Sequence, residues 1–232
     1  MLAAAMVCAA TGRLGAVRAA EPPSAYLSED FEAGIGPLWQ ERGFPSIERR
    51  NRFSLGTDPD GNRYLKVESD DSYSGKGVYL ALSPERCPEI SWRWRVADVI
   101  ASADLSRKEG DDAAAKVYVV FAGPSWWNPL DTRLLVYVWD NAVPAGAVLP
   151  NAWMPEKARM IVLESGRERA GQWVAERVDV ARDFARAFPG TTAGQIQGVA
   201  FLADTDNTHT RAEAGIDDVV IRCRGSEEAP PR

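Results

Sequence analysis

The sequence predicts an all-β protein: a single-domain, jelly-roll-like β-sandwich with one short helix, of galactose-binding or concanavalin-like architecture. Three observations lead to this prediction. Short segments rich in β-branched and aromatic residues recur along most of the chain. Clusters of Gly, Pro, Asn and Asp separate these segments, as in residues 58–62. The chain carries no βαβ repeat and no dinucleotide- or phosphate-binding loop.

Nine segments have the composition or the alternation of β-strands. The clearest is SWRWRV, residues 91–96, which places its two tryptophans on one face and Arg93 and Arg95 on the other. The predicted strands are residues 63–68, 78–82, 91–96, 116–121, 134–139, 159–163, 173–178, 198–203 and 218–222. One helix is predicted over residues 180–188, because Asp179 can cap it and a Pro-Gly pair follows it.

The N-terminal residues 1–19 have the pattern of a secretory signal peptide, a short apolar run followed by small residues. The run is too short to cross a bilayer, and no later stretch reads as a membrane span. The sequence therefore predicts a periplasmic or secreted protein. After the signal peptide we expect a linker (20–29), one sandwich domain (30–224) and a disordered polar tail (225–232).

Composition excludes several classes of function. Apolar residues make up 45% and charged residues 26% of the chain, which is typical of a folded protein. The net charge of −6 argues against nucleic acid as a partner. One histidine and three cysteines are too few for a zinc site of the Cys/His type.

Two cysteines remain beyond the predicted signal peptide. Cys87 precedes one predicted strand and Cys223 ends another, so in an oxidising compartment a disulfide between them would tie the last strand to a middle one. Two separate buried thiols are the alternative.

Polar residues at predicted strands and strand ends indicate a ligand-binding groove. If these strands are neighbours, one outer face of the sandwich carries charges of both signs, which have to be hydrated or paired. The alternative is an internal network of Arg and Asp without a ligand. The predicted lining residues are Arg95, Asp112, Lys116, Tyr118, Trp139, Asn141, Asp204 and Asp206.

Aromatic residues in predicted loops suggest a carbohydrate ligand. Trp126 and Trp127 form an adjacent pair that is hard to bury on both faces, and Trp153 lies in a second loop. Exposed rings can stack on the C–H faces of sugars while polar side chains bind the hydroxyl groups. Loops folded down over the end of the sandwich are the alternative.

Carboxylates near the two ends of the domain suggest a structural calcium ion. Asp30 and Glu32 flank the start of the domain, and Asp217 and Asp218 open the last predicted strand. In carbohydrate-binding jelly rolls such first and last strands often share calcium, so this prediction rests on analogy of fold. Solvated strand ends are the alternative.

The sequence identifies no reaction. It contains one imidazole and no Gly-x-Ser-x-Gly motif. A polysaccharide lyase or glycoside hydrolase is the alternative function, using either Asp112 with Asp204 or Tyr118 with Arg95. A structural envelope protein without a ligand is the third possibility.

Several blocks of sequence resemble a bacterial family catalogued as Domain of Unknown Function 3047. They include SWRWRV at 91–96, GDDAAAKVYVVF at 110–121, YVWDN at 137–141 and TDNT at 205–208. The resemblance covers most of the chain beyond the signal peptide. It implies an exported protein with a jelly-roll-like sandwich, and it brings no established activity and no assigned site residues.

Overall fold

Two β-sheets packed face to face form the protein in its computed structural model, which describes residues 24–123 and 131–224. The predicted jelly-roll-like sandwich is confirmed. In chain order the described strands are β1 (Ser24–Glu29), β2 (Gln40–Arg42), β3 (Arg52–Thr57), β4 (Arg63–Asp70), β5 (Gly75–Leu82), β6 (Glu89–Val96), β7 (Ala113–Ala122), β8 (Thr132–Asp140), β9 (Val148–Pro150), β10 (Ala158–Ser165), β11 (Val174–Asp179), β12 (Ile196–Asp204) and β13 (Arg211–Cys223).

The strands divide between a six-stranded and a seven-stranded sheet. The first has the order β11-β6-β13-β4-β3, with β1 also paired to β13. The second has the order β2-β5-β12-β7-β8-β10-β9, in which β8 and β10 run parallel. β6 and β7 follow each other in sequence but belong to different sheets, so their outward side chains lie on opposite sides of the molecule.

Aromatic side chains fill the space between the sheets. Trp92 and Trp94 point inward from β6, as the alternation predicts, and their rings meet edge to face with centroids 5.6 Å apart. Trp94 also contacts Trp139 of β8, with centroids 5.8 Å apart. Trp139 is buried and its indole Nε1 donates to the carbonyl of Gly166 at 3.0 Å. The prediction that Trp139 lines a ligand groove is therefore wrong, because the side chain faces the core.

All nine predicted strands are present, and the structure adds four that sequence reasoning missed. β1, β2, β3 and β9 are short or have weak alternation. The predicted linker is wrong over residues 24–29, since β1 pairs with the last strand, β13. The single described α-helix, α1 (Val180–Ala187), begins where predicted, and the Asp179 side chain accepts a hydrogen bond from the Arg182 amide at its N terminus.

Cys87 and Cys223 form a disulfide bond. Cys87 precedes β6 and Cys223 ends β13, and these two strands are neighbours in the six-stranded sheet. The alternative of two separate thiols is wrong. The bond closes a covalent loop over most of the domain.

Among the described residues no helix has the length and apolar character needed to cross a membrane.

Glu176 of β11 gives the fold a pH dependence that can be measured. Burial, followed by the charge of Glu164, raises its pKa to about 7, and the Trp94 indole donates to its carboxylate at 3.2 Å. The folded state therefore binds this proton more tightly than the unfolded chain, so the free energy of unfolding should fall as the pH rises from about 4.5 to about 7.

In Glu176→Gln the fall in the free energy of unfolding over this pH range should be smaller by about 1–2 kcal/mol. This value allows for the solvent that screens a half-buried carboxyl group. Urea denaturation of both proteins at several pH values between 4.5 and 7.5 measures the difference. An identical pH dependence in the variant and the natural protein would contradict it.

Candidate functional site

An open trough crosses the outer face of the seven-stranded sheet. It consists of two adjoining cavities of about 590 and 370 Å³, and Phe44, Tyr73 and Tyr118 line both of them. The larger cavity lies over β2, β5, β12 and β7, and the smaller one reaches the segments after β9 and β12. We call these two cavities together the trough.

Small side chains make the floor of the larger cavity flat. Along β5 the outward positions are Gly75, Gly77 and Tyr79, and the neighbouring strand β12 presents Ala200. A Cβ atom on Gly77 would lie only 2.6 Å from the Ala200 Cβ, which is closer than real contacts allow. The floor along β5 is therefore free of bulky side chains up to Tyr79, whereas Tyr118, Val120 and Leu202 line the cavity from β7 and β12.

Exposed aromatic rings stand along the larger cavity. Tyr79 is 62% exposed, and Arg42 of β2 holds it by donating from Nε to the Tyr79 hydroxyl at 2.7 Å. Phe44 is 45% exposed and stacks on Tyr73, with centroids 5.2 Å apart. These contacts position two solvent-facing rings beside the flat floor.

Trp153 supplies a further exposed ring in the smaller cavity. It is 54% exposed, and the Lys108 Nζ lies 4.9 Å from the centroid of its ring. Asn151 holds its loop, because the Asn151 Oδ1 accepts hydrogen bonds from the backbone amides of Trp153 and Met154. The Asn151 amide nitrogen in turn donates to Asp111 Oδ2 at 2.6 Å.

A buried ionic network lies beneath this smaller cavity. The Lys116 ammonium is 1% exposed and donates to Asp204 Oδ2 at 2.8 Å and to the Asp111 carbonyl at 2.9 Å. Burial alone would lower the pKa of Lys116, but Asp204 and Asp111 raise it above its ordinary value, so the ammonium stays charged. Lys116 therefore binds carboxylates inside the protein. The prediction that it lines a ligand groove is wrong, because its side chain is buried.

Asp112 is fully buried and holds the segment that follows β12. Its Oδ2 accepts hydrogen bonds from the Thr208 amide and hydroxyl at 2.7 and 2.6 Å, and its Oδ1 accepts from the Asn207 amide and side chain. The predicted exposed role of Asp112 in ligand binding is wrong. It positions the loop at the end of the trough.

Three carboxylates meet where this loop joins the trough. One oxygen from each of Asp112, Asp204 and Asp206 lies within 4.8 Å of the other two, and such a group could hold a metal ion. Asp204 and Asp206 also line the smaller cavity. Burial, and then the neighbouring Asp206 and Asp112, raise the pKa of Asp204 against the opposing effect of Lys116.

Tyr118 connects this acidic group with the larger cavity. Burial, and then the negative charges of Asp204 and Asp111, raise the pKa of Tyr118, so its hydroxyl keeps its proton. Tyr118 and Tyr73 both lie where the two cavities meet. Tyr118, Asp204, Asp206 and Trp153 are thus the predicted site residues that the structure brings together along the trough.

Comparison with known protein families assigns this chain to one of them. Residues 37–220 match the family described as "Protein of unknown function (DUF3047)". The chain belongs to DUF3047. This agrees with the resemblance carried by the Gly-Asp-Asp-Ala and Thr-Asp-Asn-Thr blocks, which contain Asp112 and Asp206. A comparison with curated protein sequences found no match.

Solved structures similar to this DUF3047 chain include the CBM22-1 xylan-binding domain of Paenibacillus barcinonensis Xyn10C, at 15% identity and a TM-score of 0.45, covering 90% of this chain and all of that one. The cellulose induced protein Cip1 is 14% identical with a TM-score of 0.45, covering 89% of this chain and all of that one. CBM28, a module specific for non-crystalline cellulose, is 14% identical with a TM-score of 0.41, covering 85% of this chain and 94% of that one. These TM-scores are below 0.5, so the similarity does not extend to the function of the DUF3047 chain.

Arg95 lies on the other side of the DUF3047 sandwich. It points outward from the six-stranded sheet, pairs with Asp58 at 2.9 Å and lies against the rings of Tyr64 and Trp173, 5.0 and 4.7 Å from their centroids. The prediction that it shares a groove with Asp112 and Asp204 is wrong, because β6 and β7 are in different sheets. The alternative pairing of Tyr118 with Arg95 in a lyase is wrong for the same reason.

Asn141 also has an internal role in the DUF3047 fold. Its side-chain amide donates to the carbonyls of Ile100 and Ala103 at 3.0 and 2.9 Å, which fixes the segment after β6 against the end of β8. Asn141 does not line the trough, so the structure does not bring it together with the other predicted site residues. Trp126 and Trp127 lie outside the described residues, so their predicted role remains a prediction.

The predicted calcium ligands already have protein partners. Arg93 pairs with Asp217 at 2.6 Å and with Asp218 at 2.9 Å. Glu32 accepts a hydrogen bond from the Arg63 amide, and Asp30 accepts one from the Glu32 amide. Arg93 thus takes the place of a cation here, and the acidic group able to hold a metal in the described part of the chain lies beside the trough instead.

Sequence reasoning missed several residues of the trough. Arg42, Phe44, Tyr73 and Tyr79 all line it. A signal was present in the Gly-x-Gly-x-Tyr spacing that ends at Tyr79, since residues two apart on a strand share a face. Phe44 follows β2 and Tyr73 precedes β5, and their rings stack because these two strands pair. No local pattern in the sequence indicates that pairing.

Proposed function

We propose that this protein is exported and binds a carbohydrate chain in the trough. The observation that carries the proposal is the set of exposed rings, Phe44, Tyr79 and Trp153, placed along one open depression with a flat floor. Exposed apolar side chains that are grouped on one surface mark an interaction site, which single exposed residues do not. Their arrangement beside small residues suits a flat ligand.

Sugars present the chemistry that such a surface accepts. The C–H faces of a pyranose ring pack on aromatic rings, and its hydroxyl groups need hydrogen-bonding partners at the edges. Gln40, Arg42 and Gln197 supply such groups at the larger cavity, and Asp206 and Asn207 at the smaller one. The larger cavity, at about 590 Å³, has the size of ordinary small-molecule sites.

The disulfide supports the exported part of the proposal. Disulfide bonds form and persist in oxidising compartments, and they are rare in the reducing cytosol. The Cys87–Cys223 bond therefore favours a periplasmic or secreted location, in agreement with the signal-like residues 1–19. Non-reducing peptide mass mapping of protein purified from the periplasm or culture medium tests both points.

The two alternative functions draw less support. For a glycoside hydrolase, Asp112 is poorly suited as a catalytic acid, since it is fully buried and its hydrogen bonds hold residues 207–208 in place. A purely structural role fits Arg95 and Lys116, whose charges are paired internally. It does not account for the exposed rings of the trough. A calcium ion at Asp30, Glu32, Asp217 and Asp218 is not part of the proposal.

Tyr79→Ala should weaken binding of a soluble polysaccharide about tenfold, since it removes the ring that rises from the floor while leaving the sheet intact. The measurement is retardation in affinity gels that contain xylan, hydroxyethyl cellulose, alginate or polygalacturonate, followed by calorimetry on any polymer that retards the protein. Leu38→Ala is the matched control, because Leu38 is 42% exposed and lies outside the trough.

Retardation by none of these polymers would overturn the proposal. Equal affinity of the natural protein and Tyr79→Ala would place any binding elsewhere on the molecule.

A further inference from the structure

The network beneath the smaller cavity has more negative than positive charge. Asp111, Asp112 and Asp204 are buried and Asp206 is half-buried, which brings four carboxylates together. Among the described residues the cationic side chain bonded to this group is Lys116, whose ammonium binds Asp204 and Asp111. Buried carboxylates need nearby positive charge to remain ionised, and one ammonium balances only one of them.

Asp204 has an oxygen that no described residue satisfies. Its Oδ2 accepts the hydrogen bond from Lys116, whereas its Oδ1 is buried and has no hydrogen-bond partner. The Asp204 side chain is 5% exposed, so bulk water does not solvate this oxygen. A buried acceptor without a partner is costly, so a cation or a hydrogen-bond donor belongs beside it.

The positions of the neighbouring oxygens fit one ion. Calcium binds carboxylate oxygens at 2.3–2.6 Å, so two oxygens on the same ion are at most about 5 Å apart. One oxygen each of Asp112, Asp204 and Asp206 lies within 4.8 Å of the others. We propose that Asp204, Asp206 and Asp112 bind a divalent cation of the calcium class at the end of the trough.

Asn207 is placed to take part in this site. Its side-chain nitrogen donates to Asp112 Oδ1 at 3.1 Å and to Asp206 Oδ1 at 2.9 Å, so the amide lies between two of the three carboxylates. Rotated by half a turn, the same amide presents its oxygen, which is the atom type that calcium takes.

The site opens toward the trough. Asp204 and Asp206 line the smaller cavity together with Trp153. Calcium takes six to eight oxygen ligands, so three carboxylates and one amide leave positions for hydroxyl groups of a bound sugar. This last step rests on the proposed carbohydrate function, whereas the ion site itself does not.

Calorimetric titration of the chelator-treated full chain with CaCl₂ tests the ion site without any sugar. We expect one calcium ion per chain and at least a tenfold loss of affinity in Asp206→Asn, which removes a charged ligand from a half-buried loop position. Asp218→Asn is the matched control, because it neutralises an acid of the site first predicted from sequence and should leave the affinity unchanged. Melting temperatures with and without calcium give a second readout, with equal rises expected for the natural protein and Asp218→Asn and a smaller rise for Asp206→Asn.

The ion site is overturned if calcium up to about 5 mM, above the dissociation constants of extracellular calcium modules, gives neither binding heat nor a rise in melting temperature. It is equally overturned if Asp206→Asn binds calcium as tightly as the natural protein does.

Coupling to the sugar is tested with a polysaccharide that retards the natural protein. Chelation is expected to weaken that retardation at least tenfold, and added calcium to restore it. Unchanged retardation after chelation would show that the sugar does not coordinate the ion. Absence of any polysaccharide binding would refute the proposed function, and the calcium titration would still decide the ion site.

Discussion

Replacing Lys116 with methionine is expected to lower the free energy of unfolding by about 3–5 kcal/mol. The ammonium is 1% exposed and is bonded to Asp204 and Asp111. Methionine keeps much of the volume and removes the charge, so it leaves these buried carboxylates without their cation. Removing one partner of a buried ion pair costs far more than the pair itself contributes.

Lys66→Met is the matched control. Lys66 also lies on a strand and pairs with two carboxylates, Glu213 at 2.8 Å and Glu68 at 3.4 Å, but its side chain is 26% exposed and both partners are more exposed still. Water screens such a pair, so its loss should cost less than about 1 kcal/mol. Urea denaturation at pH 7, followed by tryptophan fluorescence, measures both. Equal losses in the two variants would contradict the role given to Lys116.

Reducing the Cys87–Cys223 disulfide should lower the free energy of unfolding by roughly 4–5 kcal/mol on the chain-entropy model. The two cysteines are 136 positions apart, so the bond removes much of the freedom of the unfolded chain. Both residues are buried, and reduction leaves the volume of their side chains almost unchanged. The expected loss therefore comes from the cross-link itself.

Denaturation curves of the natural protein with and without dithiothreitol measure this effect. The double variant Cys87→Ala/Cys223→Ala should be no more stable than the reduced protein. Its denaturation curve should not change when the reductant is added. A reduced protein with the midpoint of the oxidised one would refute the expected stabilisation.

Alternation along single strands predicted the interior correctly. The two tryptophans of SWRWRV lie in the core, and the two arginines point out of the sheet, since side chains alternate across a strand whatever its neighbours are. The sequence also indicated the acidic side chains at the ends of β7 and β12. These strands do pair, and Asp112 and Asp204 do meet.

The candidate site was only partly predictable, because it depends on which strands become neighbours. β6 pairs with β11 and β13, whereas β7 pairs with β8 and β12. No local pattern in the sequence indicates which strands pair. Arg95 and Lys116 consequently lie on opposite sides of the sandwich, although only 21 positions separate them.

The burial of the acidic group could not be predicted from the sequence either. Asp112 and Lys116 have the chemistry of exposed residues, and sequence reasoning therefore placed them on a wet face. In the structure the segments after β9 and β12 cover them, and the exposed positions go to Phe44, Tyr79 and Trp153. Burial depends on distant loops, so it does not follow from residue type.

The amino-acid sequence by itself determined nine of the thirteen described strands, their inward faces and the family, because short-range sterics and side-chain polarity decide these features. The tertiary structure alone decided the partition of strands between two sheets, the burial of Lys116 among the acids and the alignment of exposed rings over a floor of small residues. These features arise from contacts between residues far apart in the chain, where packing and desolvation outweigh local preference.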